Sequence, residues 1–305
     1  METHLHFSKE VAAALNERRP VVALESTVIA HGLPRPSNLE VALEIEGTIR
    51  EYGATPATIA VLGGVMHVGL APDEIEHLAR GEGILKLGTR DLPGAIESKS
   101  DGATTVSATA FIASKAGIRV FVTGGIGGVH LGADRTNDVS ADLWELANTS
   151  IIVVCAGAKA ILDLPATLEW LETHQVPVLG YRTGEFPGFY SRKTGLPVER
   201  VDAPEEVAHR FEVQRKLGMR GGMLVAVPVP EEFELDLRTQ IAQAVEEASK
   251  LGIKGKELTP WLLSRLDELT EGESVRTNIA LLQNNARVGA EIAQALLPHE
   301  GGRLV

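Results

Sequence analysis

The sequence predicts an α/β fold, a three-layer α/β/α sandwich with a largely parallel sheet and a C-terminal helical cap. Three observations predict it. Short apolar runs rich in β-branched residues, at 21–24, 59–62, 120–122, 151–155, 178–179 and 223–227, do not alternate with polar residues, which is how strands buried on both faces read. Helical patterns separate these runs, and strand–helix alternation implies right-handed crossovers into a parallel sheet covered on both sides. From about Leu235 onward the strand-like runs stop and three helical patterns follow in succession.

In chain order, a helix is expected over 8–18, followed by the first buried strand at 21–24. Ser37 followed by Glu40 reads as a capping box opening a helix over 38–52, with Leu39, Leu43, Ile45 and Ile49 near one side and Gly53 as its stop. Further helices are expected over 72–80, 104–116, 140–147, 165–173 and 204–217, and the closing three over 235–251, 260–269 and 274–297. No linker, repeat or low-complexity stretch interrupts the pattern, so residues 1–305 are read as a single domain.

The chain has 305 residues, 44% of them hydrophobic and 23% charged, which is enough apolar material for a well-buried core. Its 29 Lys and Arg against 41 Asp and Glu give a formal charge of −12, which opposes attraction to nucleic-acid backbones or anionic membranes. The lone Cys155 offers no intrachain disulfide, and the segment METHLHFSKE lacks the basic and apolar stretches of a signal peptide. No window approaches the roughly 18 apolar residues of a membrane helix. A cytoplasmic protein with no nucleic-acid or membrane partner is the expectation.

In open α/β sheets, sites form beyond the carboxyl ends of the strands, so the residues that follow each run carry the functional argument. Glu25 directly follows 21–24, where desolvation raises a carboxyl pKa and makes it a candidate general acid; a capping or salt-bridged glutamate would give the same placement. Five glycines between Gly124 and Gly132 follow 120–122 and suit a phosphate cradle, with the helix opening at Ser140 pointing its positive end toward it. The loop matches neither the dinucleotide fingerprint nor a P-loop. Asp134, Asp138 and Asp142 recur every four residues and suit Mg²⁺ or Mn²⁺, although a first-turn Asp142 also suits the helix dipole.

Lys159 arrives after the strand at 151–155 and a run of small residues, where lost hydration would free its amine to attack a carbonyl; a lysine snorkelling to the surface is the commoner outcome. Cys155 reads as core. Lys86 and Arg90, just after a short strand, offer point charges for a phosphate, or else surface ion pairs. Asn278 lies with other amides in the last helix. There is no Gly-x-Ser-x-Gly, no His-Glu-x-x-His and no paired cysteine spacing, so α/β-hydrolase, zincin and structural-zinc readings lose support.

Taken together, Ala23-Leu-Glu-Ser-Thr27 with His31-Gly32, Gly63-Gly-Val-Met66, Arg90-Asp-Leu-Pro93, Thr123-Gly-Gly-Ile-Gly-Gly-Val-His130, Ser140-Ala-Asp142 and Cys155-Ala-Gly-Ala-Lys159 resemble the pseudouridine-5'-phosphate glycosidase family, also called the indigoidine synthase A family. The resemblance runs from about Val21 to about Ala293. It implies reversible cleavage of the C–C glycosidic bond of pseudouridine 5'-phosphate to uracil and ribose 5-phosphate, with Mn²⁺ or a similar divalent ion. It also implies a homotrimer.

By resemblance Lys159 matches the Schiff-base nucleophile, Glu25 the proton donor and Asp138 the metal-binding aspartate. Ser140, Ala141 and Asp142 match a substrate-binding segment. Lys86, Thr123, His130 and Asn278 match phosphate-gripping positions, and Val106 a backbone contact. A lysine makes chemical sense here, because the leaving atom is a ring carbon and an iminium at C1' is the electron sink that lets this bond break.

Two departures from the family pattern each remove a cation: Leu131 follows His130, and Leu-Gly-Thr-Arg follows Lys86. The Gly-, Pro- and aromatic-rich segment 181–202 matches least well and reads as a flap. Two rivals remain at this stage. One is a Schiff-base lyase or aldolase acting on another sugar phosphate through the same lysine, and the other is a non-catalytic sugar-phosphate-binding accessory protein.

Overall fold

The computed structural model describes residues 4–253 and 258–297. Its strands are β1 (Leu5–Phe7), β2 (Val21–Leu24), β3 (Thr55–Leu62), β4 (Val65–Val68), β5 (Leu85–Leu87), β6 (Gly102–Thr104), β7 (Val120–Val122), β8 (Val129–His130), β9 (Ile152–Cys155), β10 (Leu162–Asp163), β11 (Val178–Tyr181), β12 (Glu199–Val201) and β13 (Met223–Ala226). Its α-helices are α1 (Lys9–Asn16), α2 (Ser37–Glu51), α3 (Pro72–Arg80), α4 (Leu92–Glu97), α5 (Val106–Lys115), α6 (Ala133–Thr136), α7 (Ala141–Asn148), α8 (Leu164–Thr173), α9 (Pro204–Lys216), α10 (Arg238–Leu251), α11 (Leu258–Leu269) and α12 (Glu273–Ala295).

Strands β3, β2, β7, β9, β13, β11 and β12 lie side by side in that order, and every pairing among them is parallel. β2, β9 and β13 are buried at every residue, as their unbroken apolar runs require of a sheet covered on both faces. Near its carboxyl end β3 acquires antiparallel neighbours, β4 on one edge and β6 on the other. The sequence reading missed these, because three- and four-residue strands such as the half-exposed Val-Met-His-Val of β4 carry little periodicity.

Helix α5 lies on β2, β3 and β7 with α7 beside it. Helix α12 runs across β2, β7 and β9 between α2 and α9, so the last helix forms part of a helical layer instead of only capping it. Helices α10 and α11 pack on each other. One expected cap differs. Helix α2 starts at Ser37, and the Ser37 hydroxyl donates to the Pro34 carbonyl at 2.9 Å, so it caps no first-turn N–H.

Just past the end of β2, the Ser26 hydroxyl donates to the Ile59 carbonyl at 2.6 Å and accepts the Thr104 N–H at 2.9 Å, so one buried side chain ties the end of β2 to the middle of β3 and to the end of β6. In such a sheet a site is expected in the opening beyond the carboxyl ends of the strands.

Candidate active site

A cavity of about 340 Å³ occupies that opening. The eleven site residues that the resemblance implies all line it: Glu25, Lys86, Val106, Thr123, His130, Asp138, Ser140, Ala141, Asp142, Lys159 and Asn278. They converge from separate parts of the chain. Glu25, Thr123 and the Lys159 segment follow β2, β7 and β9, Val106 opens α5, and Ala141 and Asp142 open α7. Asn278 comes from α12, and Lys86 lies in the middle of β5, where the sequence reading put it after a strand.

The loop carrying Lys159 is locked to the glycine loop. Its N–H donates to the Ile126 carbonyl at 3.0 Å, and β10, just beyond it, pairs antiparallel with β8, which contains His130. Lys159 is thereby held half-buried in the cavity wall.

Glu25 is 9% exposed and accepts a hydrogen bond from the Thr123 hydroxyl. Burial pushes its carboxyl above the usual carboxylate range, and Asp142 adds to that push. The Lys159 ammonium, the Thr123 hydroxyl and Lys86 pull the other way. A carboxyl that keeps its proton to higher pH, beside an amine, is the pairing needed by an acid working next to a nucleophile.

The Thr123 hydroxyl is thus committed to Glu25, which differs from the phosphate-gripping role implied by resemblance. Asp142 is committed as well: its Oδ1 accepts the Ser107 N–H at 2.9 Å and its Oδ2 accepts the Gly127 N–H at 2.8 Å. The glycine loop is accordingly not an open phosphate cradle along its length. A Cβ on Gly125 would press on the Phe189 ring at 2.6 Å, so the missing side chain makes room for the protein's own packing. Val106 and Ser107, in the first turn of α5, line the cavity, and first-turn N–H groups of a helix lack intrahelical partners.

The four-residue spacing of the aspartates does not make a cluster. Asp134 is exposed on α6 and lies outside the cavity, Asp142 is tied to backbone amides, and Asp138 alone offers an exposed carboxylate at the cavity wall. Among the described residues no group of three His, Cys, Asp or Glu side chains is arranged to hold a metal. The donor set therefore suits a divalent ion bound through one protein carboxylate, with water and substrate oxygens as its remaining ligands.

Several cavity residues were not foreseen. Val28 and His31 come from the π-helical turn Val28–Gly32, Thr27 from the position just before it, and Thr259, Pro260 and Leu263 from α11. Burial, with the Lys86 charge second, holds the His31 imidazole below its ordinary value. The segment 181–202 is not a free flap: Phe186, Phe189 and Tyr190 are buried, and the Phe189 N–H donates to the Ala156 carbonyl at 3.0 Å. Phe189 sits at φ +65° and lines the cavity, a strained aromatic where the sequence showed only a Gly- and Pro-rich stretch. Among the described residues no helix is long and apolar enough to cross a membrane.

The Indigoidine synthase A like protein family model matches residues 10–295. The chain is 55% identical over 300 residues to a pseudouridine-5'-phosphate glycosidase of Caldanaerobacter subterraneus, covering 97% of this chain and 98% of that protein. It is 56% identical over 297 residues to one of Solibacter usitatus, covering 96% and 99%. Among solved structures, the prealnumycin C-glycosynthase AlnA in complex with ribulose 5-phosphate superposes with a TM-score of 0.89 at 41% identity, covering 96% of each chain. An indigoidine synthase A-like protein of Thermotoga maritima gives 0.90 at 39% identity, covering 98% of this chain and 99% of that one. With its motifs converging on one cavity and these likenesses spanning nearly its whole length, the chain belongs to the Indigoidine synthase A like protein family, the family of the glycosidases it matches.

Proposed function

We propose that this enzyme reversibly cleaves the C–C glycosidic bond of pseudouridine 5'-phosphate, giving uracil and ribose 5-phosphate. The observation that carries the reading is the placement of Lys159 and Glu25 in one cavity, close enough that the lysine charge is the largest influence opposing the effect of burial on the Glu25 carboxyl. The names of the curated relatives, and a structural neighbour holding a pentose phosphate, support the same substrate class.

In this mechanism the Lys159 amine bonds to C1' as the ribose ring opens and the ring oxygen takes a proton. Glu25 then protonates C5 of the uracil. The nitrogen lone pair forms the C1' iminium as the C1'–C5 bond breaks, and that bonding pair returns to the uracil ring. Water hydrolyses the iminium, releasing ribose 5-phosphate and the free lysine. Lys86, His130 and Asn278, with the backbone at Val106, bind the phosphate and ribose, and Ser140 and Ala141 line the substrate's path. Asp138 holds a Mn²⁺ or similar divalent ion, which supplies positive charge for the substrate's oxygens in a protein of charge −12. The working form is a cytoplasmic homotrimer.

The test is incubation with ribose 5-phosphate and Mn²⁺, borohydride reduction, and digestion for mass spectrometry. An adduct of ribose phosphate mass on Lys159, together with uracil release from pseudouridine 5'-phosphate, is the expected result. Intact binding without an adduct would remove the lysine from the chemistry. Retro-aldol cleavage of sugar phosphates that lack a uracil-like leaving group would redirect the reading to an aldolase.

A further inference from the structure

Asn285 lies on α12 two turns after Asn278, on the same helical face, and is completely buried. Its Nδ2 donates to the Thr123 carbonyl at 2.9 Å and to the Gly124 carbonyl at 3.5 Å. Its Oδ1 is buried with no hydrogen-bond partner among the described residues. A buried amide with an orphan oxygen is costly where an apolar side chain would simply pack, so its presence calls for a reason. The reason is in what it holds. Thr123 also donates its N–H to the Val154 carbonyl at 3.0 Å and its hydroxyl to Glu25. With its carbonyl, N–H and hydroxyl all engaged, Thr123 has a fixed backbone and a fixed side-chain rotor.

We infer that Asn285 is a positioning residue for the proton donor: by gripping the Thr123 carbonyl from α12, it keeps the Thr123 hydroxyl aimed at Glu25 and so sets where the Glu25 carboxyl sits. The inference rests on the reading of Glu25 as the acid. The groups facing Glu25 are Thr123 after β7, Lys159 after β9, Lys86 in β5 and Asp142 in α7. Of these, Thr123 is the one that Asn285 hydrogen-bonds. A hydroxyl donor favours the ionised carboxylate, so loosening it strengthens the hold of Glu25 on its proton.

The experiment is an infrared pH titration of the full chain. It follows the protonated carboxyl band of Glu25, identified by its absence in Glu25→Gln. Thr123→Val and Asn285→Ala are expected to move its midpoint upward by roughly 0.5–1 pH unit, with Thr123→Ser and Asn285→Ser recovering most of the shift. The double variant Thr123→Val with Asn285→Ala should move no further than Thr123→Val alone. The alkaline limb of kcat for pseudouridine 5'-phosphate should follow the midpoint. An Asn285→Ala protein that loses stability or rate with the midpoint unmoved overturns the inference, as does a double variant whose shifts add. Should Asn285→Ala fail to fold, Asn285→Leu, which fills a similar volume and has no N–H to donate to the Thr123 carbonyl, carries the same comparison. The infrared midpoint needs no turnover, so a wild type that fails to cleave pseudouridine 5'-phosphate would sink the functional reading while leaving this positioning test standing.

Discussion

Gly127 donates its backbone N–H to Asp142 Oδ2 at 2.8 Å, while the other oxygen of that carboxylate takes the Ser107 N–H at 2.9 Å. One side chain thus bridges the glycine loop and the first turn of α5, two walls of the cavity. A Cβ on Gly127 would fall 2.2 Å from Ser140 Oγ and 2.7 Å from Asp142 Oδ2, so the approach requires glycine. Gly127→Ala is expected to cost about 1–3 kcal/mol in a urea titration, and to lower kcat because the bridge is pushed open. Asp142→Asn turns an amide NH₂ toward one of the two donors and should cost a similar amount, about 1–3 kcal/mol. Wild-type midpoint and rate in Gly127→Ala would show that the bridge tolerates a side chain.

Much of this site was legible in the sequence, for a physical reason. Glu25 stands directly after one unbroken apolar run and Lys159 three small residues after another, and parallel strands place such positions at one crevice. What each group does there was less legible. The hydroxyl of Thr123 and the carboxylate of Asp142 look like ligand-binding groups in a list of residues, yet both are satisfied within the protein, by Glu25 and by two backbone amides. Pairings between residues 98 or 35 positions apart leave no local periodicity to read. Phe189 was invisible for a related reason, since its place in the wall comes from long-range packing against Gly125 and not from any pattern in 181–202.

The buried Glu25 carries a stability cost with a definite pH signature. Its folded pKa lies above that of the carboxyl in the unfolded chain, chiefly through burial. Its favourable contribution is therefore fully present below the unfolded pKa and is lost as pH rises through the folded pKa. Glu25→Gln has no such loss. The variant should be catalytically dead yet melt higher than the wild type at alkaline pH, with the gap closing as pH falls toward the unfolded value. A gap that stays constant across that range would mean that Glu25 ionises as freely in the folded protein as in the unfolded chain.

Asp138 is exposed, so removing its charge should leave the fold alone. Asp138→Asn is expected to melt as the wild type does, while the Mn²⁺ concentration needed for half-maximal activity rises about tenfold or more. Calorimetric titration of Mn²⁺ in the presence of ribose 5-phosphate checks the same loss without turnover. Unchanged Mn²⁺ affinity would place the ion on other oxygens.

Arg90 tests whether the cations missing from this chain matter. The guanidinium lines the cavity with its side chain 80% exposed, and its nearest carboxylate, on Asp91, is 3.8 Å away. A charge so open to solvent holds no fixed geometry and is screened by salt, so its service to a phosphate is attraction at the mouth and not a clamp. Arg90→Ala should therefore raise KM for pseudouridine 5'-phosphate about two- to fivefold at low ionic strength, with kcat unchanged. The difference should shrink as salt is added, because screening removes from the wild type what the substitution removes from the variant. A fall in kcat that salt does not diminish would instead make Arg90 part of the bound-state contact.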